Sequence, residues 1–92
     1  MISAIVLISA EVHRIPEVAK AIVEIDGVQE VYSVTGDIDL IAIVHAGQHE
    51  DLADIIADRL NKVGGVLSTR THIAFRTYRS AELDAAFSLG LD

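Results

Sequence analysis

The residues with the clearest chemical potential are Gly36, Asp37 and Asp39. They lie in the stretch VTGDID, between the apolar runs VQEVYS and LIAIV. A carboxylate holds an ammonium group through a charge-assisted hydrogen bond. Backbone N–H groups left free by a glycine turn hold a carboxylate. A site offering both suits a zwitterion, such as a free amino acid. The same letters also make an ordinary hairpin loop, with Gly36 at positive φ and Asp37 in water. Asp39 is the residue such a loop does not need. It opens an apolar strand, where an unpaired carboxylate is costly.

Other reactive groups point to less. His45 and His49 have HxxxH spacing, but His45 ends a strand and His49 opens the next helix, so they do not share a face. His13 lies in a loop and His72 in the last strand, and there is no cysteine. No metal site and no cofactor are expected from this set. Ser9, Ser33, Ser68 and Ser80 lack the strand–turn–helix glycine context of a nucleophile elbow. Gly64-Gly65 follows a helix instead of opening one, so it is no phosphate loop. The last strand carries Ser68, Arg70, His72 and Arg76 on one side, and Thr69, Thr71, Ile73, Phe75 and Thr77 on the other. Arg70, Arg76 and Arg79 are three of only seven basic residues. They either pair with the acidic helices or supply hydrogen-bond donors at a subunit boundary. Thr69 and Thr71 are good strand residues on propensity alone and also two hydroxyls facing one way.

The elements that must position these groups fit one small domain of 92 residues. The net charge is -7, with acids outnumbering bases 14 to 7, which argues against direct nucleic-acid binding. No apolar run reaches the roughly 18–20 residues of a membrane span. The start, MISAIVLISAEVHR, reads as a first strand and not as a signal peptide, having no basic leader. The lack of cysteine fits a reducing, cytoplasmic setting. The hydrophobic fraction is 51% but only 4% is aromatic, so the core is Val, Ile, Leu and Ala. That is a very apolar composition for a lone domain of this size, and oligomerisation resolves it.

Residues 2–10 are apolar at nearly every position and read as a strand buried on both faces. Over 15–25 the period becomes helical, with Ile15, Val18, Ala19, Ile22 and Val23 in one stripe, Pro16 in the first turn and Gly27 as the stop. Strands follow over 28–34 and from 40 to 45, joined by a turn. A second helix spans 50–63 on Leu52, Ile55, Ile56, Leu60 and Val63, and a last strand spans 66–78. A shift of 38 residues lays Ile5-Val6 on Ile43-Val44, Val18 on Ile56, Ile22 on Leu60 and Gly27-Val28 on Gly65-Val66. Two interlocking βαβ halves make an α+β, ferredoxin-like βαββαβ sandwich: a four-stranded antiparallel sheet with two helices on one face.

A sheet whose second face meets water should alternate apolar and polar residues. Here Ile5 and Leu7 oppose Ala4, Val6 and Ile8, and Ile41 and Ile43 oppose Leu40, Ala42 and Val44. Both faces are apolar, so a second copy is expected to cover the free one in a two-fold, barrel-like dimer. Several hundred Å² per subunit at about 25 cal/mol per Å² supplies roughly 10 kcal/mol before association costs. Residues 1–78 form the domain. The tail, 79–92, holds a short helix capped by Ser80, with Leu83 and Phe87 on one side, either docked on a neighbouring subunit or frayed.

GVQEVYSVTGDIDLIAIV followed by GVLSTRTHIAF resembles the effector-binding domain of the Lrp/AsnC transcription regulators, over essentially residues 1–78. The resemblance implies a sandwich that dimerises through its sheets, dimers that assemble into rings, commonly octamers, and amino acids bound between dimers near the β2–β3 turn. It carries Gly36, Asp37 and Asp39 over to the effector turn, flanked by Tyr32, Ser33, Val34 and Thr35, with Thr69 and Thr71 following from the late TxT strand. The family's regulators carry an N-terminal helix-turn-helix domain, whereas this chain begins at the effector domain's first strand. It therefore resembles the stand-alone members, which implies no direct DNA contact and mixed oligomers with full-length relatives.

The expected function is an amino-acid-binding, oligomer-forming module linked to transcriptional regulation of amino-acid metabolism, not an enzyme. The contrasting expectation is a cofactor-independent monooxygenase on the dimeric ferredoxin-like scaffold, with His72 and Tyr32 as its groups in a cavity between sheet and helices. A third is an assembly module without ligand. Fold alone does not choose among them.

Overall fold

The computed structural model describes residues 1–80. The chain runs β1 (Ile2–Ala10), a 3-10 turn (Val12–Arg14), α1 (Ile15–Val23), β2 (Val28–Ser33), β3 (Leu40–Ala46), α2 from His49–Ala53, and β4 (Val66–Ile73). The helical path of α2 continues through a wider π-type stretch, Asp54–Arg59, and tightens over Leu60–Lys62. The sheet is antiparallel, ordered β2-β3-β1-β4, with β2 and β4 at its edges. This is the ferredoxin-like sandwich that the element order predicts.

Alternation decides which face is covered. Ala4, Val6, Ile8 and Ala10 of β1 and Leu40, Ala42, Val44 and Ala46 of β3 are buried against the helices. Val18 and Ile22 of α1 meet them, with Leu52, Ile55, Ile56 and Leu60 from the second helical path. Val23, expected in the α1 stripe, is instead 44% exposed; its position turns past the edge of the buried arc. The 38-residue repeat is visible in three dimensions. Ile5 and Ile43 pair across β1 and β3. Gly27 and Gly65 take nearly the same left-handed conformation, φ 98° and 99°, each just before an edge strand.

β4 stops at Ile73, short of the expected 78. The reason is its partner. β4 is an edge strand that pairs only with β1, and β1 begins at Ile2. The last bond is Ala74 N–H to Ser3 C=O at 2.7 Å; beyond it β1 has only Ile2 left, and the extended-strand pattern through Thr77 outruns its partner. The short helix expected around Leu83 and Phe87 lies outside the described residues. Among the described residues no helix is long and apolar enough to cross a membrane.

Candidate functional site

The β2–β3 connection spans residues 34–39 and is closed by Val34 N–H donating to Asp39 C=O at 3.1 Å. Thr35, Gly36 and Asp37 are exposed at its tip. Gly36 has φ 124°, and a Cβ there would meet nothing within 4 Å. Glycine is needed for the backbone conformation alone, and the space above the turn is open. An open turn of this kind leaves backbone N–H groups and the Asp37 carboxylate accessible to a ligand.

Asp39 is held differently. Its N–H donates to Ile8 C=O at 3.0 Å, and its Oδ2 accepts from Ala10 N–H at 2.9 Å. β1 changes register between Ser9 and Ala10, where a bulge interrupts the ladder with β4. Asp39 thus supplies an acceptor for a strand end that the β3 backbone no longer reaches. The partly buried carboxylate, without an evident partner in the sequence, is a latch between the turn and the end of β1.

The remaining candidates divide between the two faces of the sheet. In register across it, Ser33, Leu40, Ile8 and Thr69 form one row toward the helices, while Tyr32, Ile41, Leu7 and Arg70 form a row on the open face. Thr69 and Thr71 therefore lie at the opposite edge from β2, about 14 Å away at three strand spacings of roughly 4.8 Å. One protomer does not unite them with the turn. Thr69 donates its hydroxyl to Asn61 Oδ1 at 2.7 Å. Thr71 lines an apolar groove of about 300 Å³ with Leu52, Ile56 and Ile73.

Tyr32 stands on the open face beside Glu30. Hydrogen bonding to the Glu30 carboxylate, then partial burial and the carboxylate's charge, push its hydroxyl above the ordinary 10.0. His72 also lies on the open face, opposite Ile5, so the space between sheet and helices holds neither His72 nor Tyr32. Within one protomer the two sit at opposite edges of the sheet. Arg70 faces the same way, opposite Leu7, and so does not pair with the helices as one sequence reading expects. Among the described residues no cluster of three His, Asp or Glu side chains could hold a metal.

A hollow of about 560 Å³ occupies the far end of the open face, between Ser3, Glu30, Tyr32 and His45, with Thr77 and Arg79 from the segment after β4. Sequence reasoning did not single it out. Ser3 and His45 pair across β1 and β3, but the segment that walls the hollow has no periodic signal to place it.

Comparison with known proteins agrees with this geometry. Residues 3–83 match the Lrp/AsnC ligand binding domain. An HTH-type transcriptional regulator of Pyrococcus horikoshii is 40% identical over 63 residues, which are 68% of this chain and 42% of that protein. The chain thus spans about half the length, or less, of the curated relatives it matches. The crystal structure of TTHA0845 from Thermus thermophilus superposes with a TM-score of 0.82 at 41% identity, covering 87% of this chain and all (100%) of that one. The feast or famine regulatory protein of M. tuberculosis, solved in complex with L-methionine, shares the fold with a TM-score of 0.72 at 24% identity, over 88% of this chain and 54% of that one. A sheet, a glycine–aspartate turn and a match that runs through both lead to one conclusion: this chain belongs to the Lrp/AsnC ligand-binding-domain family.

Proposed function

We propose that the chain binds a free amino acid at the 34–39 turn, within a homo-oligomer linked to transcriptional regulation of amino-acid metabolism. The observation that carries this reading is the ligand-binding-domain match over residues 3–83, which includes the open Gly36–Asp37 turn. The L-methionine complex of the M. tuberculosis relative supports the ligand class. In this reading Asp37 holds the ammonium group and the backbone around Gly36 the carboxylate, flanked by Tyr32, Ser33, Val34 and Thr35. Thr69 and Thr71 reach the ligand only from a neighbouring subunit, since their own edge is remote from their own turn. Sheet-to-sheet dimers then assemble further, to an octamer. The domain works in the cytoplasm as a sensor, without catalysis. It makes no direct DNA contact, consistent with its net charge of -7, and acts on promoters through full-length Lrp/AsnC regulators in mixed oligomers.

Calorimetry of the purified protein against each of the twenty amino acids tests this. Saturable binding of at least one is expected, weakened about tenfold or more by Asp37→Asn, since a hydrogen bond to a charged group is worth about 1.5–3 kcal/mol. No heat and no thermal stabilisation with any of them would remove the amino-acid reading.

A further inference from the structure

β4 pairs only with β1, so its outer side carries no strand among the described residues. The register shows what that side presents. Ala74 N–H donates to Ser3 C=O, one step beyond the Ala4–Ile73 pair. Along a strand, the backbone groups of successive residues point to opposite sides. Those of Arg70 and His72 therefore face β1, while those of Thr69, Thr71 and Ile73 face outward. The side chains of the same three residues lie toward the helices, where Thr71 and Ile73 line the apolar groove with Leu52, Ala53, Ile56 and Ala57. On the open-face side of this edge stand Arg70 and His72, both exposed. The strand, VLSTRTHI, has no proline and no lysine, and Ile73 is 51% exposed. Such an edge is normally blunted or covered.

The edge specifies its cover. A strand laid along it needs one set of apolar side chains for the groove and an alternate set of acidic ones beside Arg70 and His72. The sequence has that pattern directly after the described residues: Ala81-Glu82-Leu83-Asp84-Ala85. The connection, residues 74–80, is too short for the crossover of about a dozen residues that a parallel strand needs, so the added strand is antiparallel. Thr77 and Arg79 line the hollow beside Ser3, at the end of the sheet where β4 stops. The connection thus stays at the end from which such a strand starts.

We propose that residues 81–85 add to the outer edge of β4 as a fifth, antiparallel strand, with Leu83 opposite Thr71 and seated in the groove. Asp84 then stands opposite Arg70 and Glu82 opposite His72, while the small Ala81 and Ala85 meet Ile73 and Thr69. A helix over the same segment would bring Leu83 and Phe87 to one side, but it would leave the outward N–H and C=O groups of β4 unpaired. The inference goes beyond the amino-acid reading. Its place is the β4 edge and not the 34–39 turn, and Thr71 meets a ligand only when the strand is displaced.

Amide hydrogen exchange of the full chain, resolved by NMR, tests this. The N–H groups of Thr69, Thr71 and Ile73 should exchange at least about tenfold more slowly than those of an unstructured peptide. Leu83→Asp should remove that protection, and the milder Leu83→Ala part of it. Arg70 and His72, bonded to β1, should stay protected in both variants and so verify the fold. Asp84→Arg and Arg70→Asp should each speed exchange at the outward amides about threefold, and the double variant should restore it. Outward amides that exchange like an unstructured peptide in the unsubstituted chain would overturn the proposal. So would protection that survives Leu83→Asp, because something other than this segment would then cover the edge. A double reversal no slower than the singles would refute the Asp84–Arg70 register.

Discussion

Asp39 ties three backbone segments together: its own strand, Val34 across the loop, and the Ile8–Ala10 end of β1. Replacing its side chain leaves the Ala10 N–H without its acceptor in a partly buried place. Asp39→Ala should therefore lower the unfolding free energy by about 1–3 kcal/mol, read from urea denaturation, while Asp39→Asn keeps an acceptor oxygen and loses less. An unchanged midpoint in Asp39→Ala would show that water replaces the carboxylate. The consequence for function is direct. Loss of ligand binding in Asp39→Ala would report the turn's position as much as any contact, whereas Asp37 is exposed and answers the question of contact alone. The sequence marks Asp39 as out of place, because a carboxylate at the mouth of an apolar strand demands a partner. It does not name that partner, since Ala10 lies 29 residues away and any N–H would do.

At the scale of elements, periodicity locates the strands and helices and tertiary pairing decides where they end. The 66–78 pattern continues past Ile73, but β1 offers only Ser3 and Ile2 beyond Ala4, so the pattern outruns its partner. The apolar stripe of the second helical path fits α and π hydrogen bonding alike, which is why Leu52, Ile55, Ile56 and Leu60 were legible as core and the widening over Asp54–Arg59 was not. The glycines that precede the edge strands are where sequence and packing meet. Gly65 has φ 99°, and a Cβ there would lie 2.6 Å from Val18 Cγ2, inside the core of α1. Gly36 has positive φ too, but open space around it. Gly65→Ala carries both backbone strain, about 1–3 kcal/mol, and overpacking of similar size. Gly36→Ala carries only the first. Paired denaturation curves should place Gly65→Ala clearly below Gly36→Ala in stability; equal losses would mean that Val18 moves aside without cost.

The molecule as a whole has more apolar surface than one copy can bury. A 51% hydrophobic chain fills the helix-covered face of its sheet with fully buried side chains such as Val6, Ile8, Leu40 and Val44, yet still places Ile5, Leu7, Ile41 and Ile43 on the other face. These aliphatic side chains make no contribution to the core beneath the helices, so a substitution there separates folding from association. This separation was legible in the sequence as a failure of alternation. What the sequence did not show is that Thr69 and Thr71 face the helices at the edge remote from the turn, because strand order and facing come only from the assembled sheet. Ile43→Asp places a carboxylate in the middle of the open face, in register with Ile5 and beside Glu30. In a sheet-to-sheet dimer that charge is desolvated twice, once in each copy, at several kcal/mol. Light scattering should then fall to the mass of one 9.9 kDa chain, with the helical circular dichroism signal retained. If the variant keeps the assembly mass of the unsubstituted protein, the open face is not where the copies meet. If it loses the helical signal as well, the core depends on that face, and association and folding are one event.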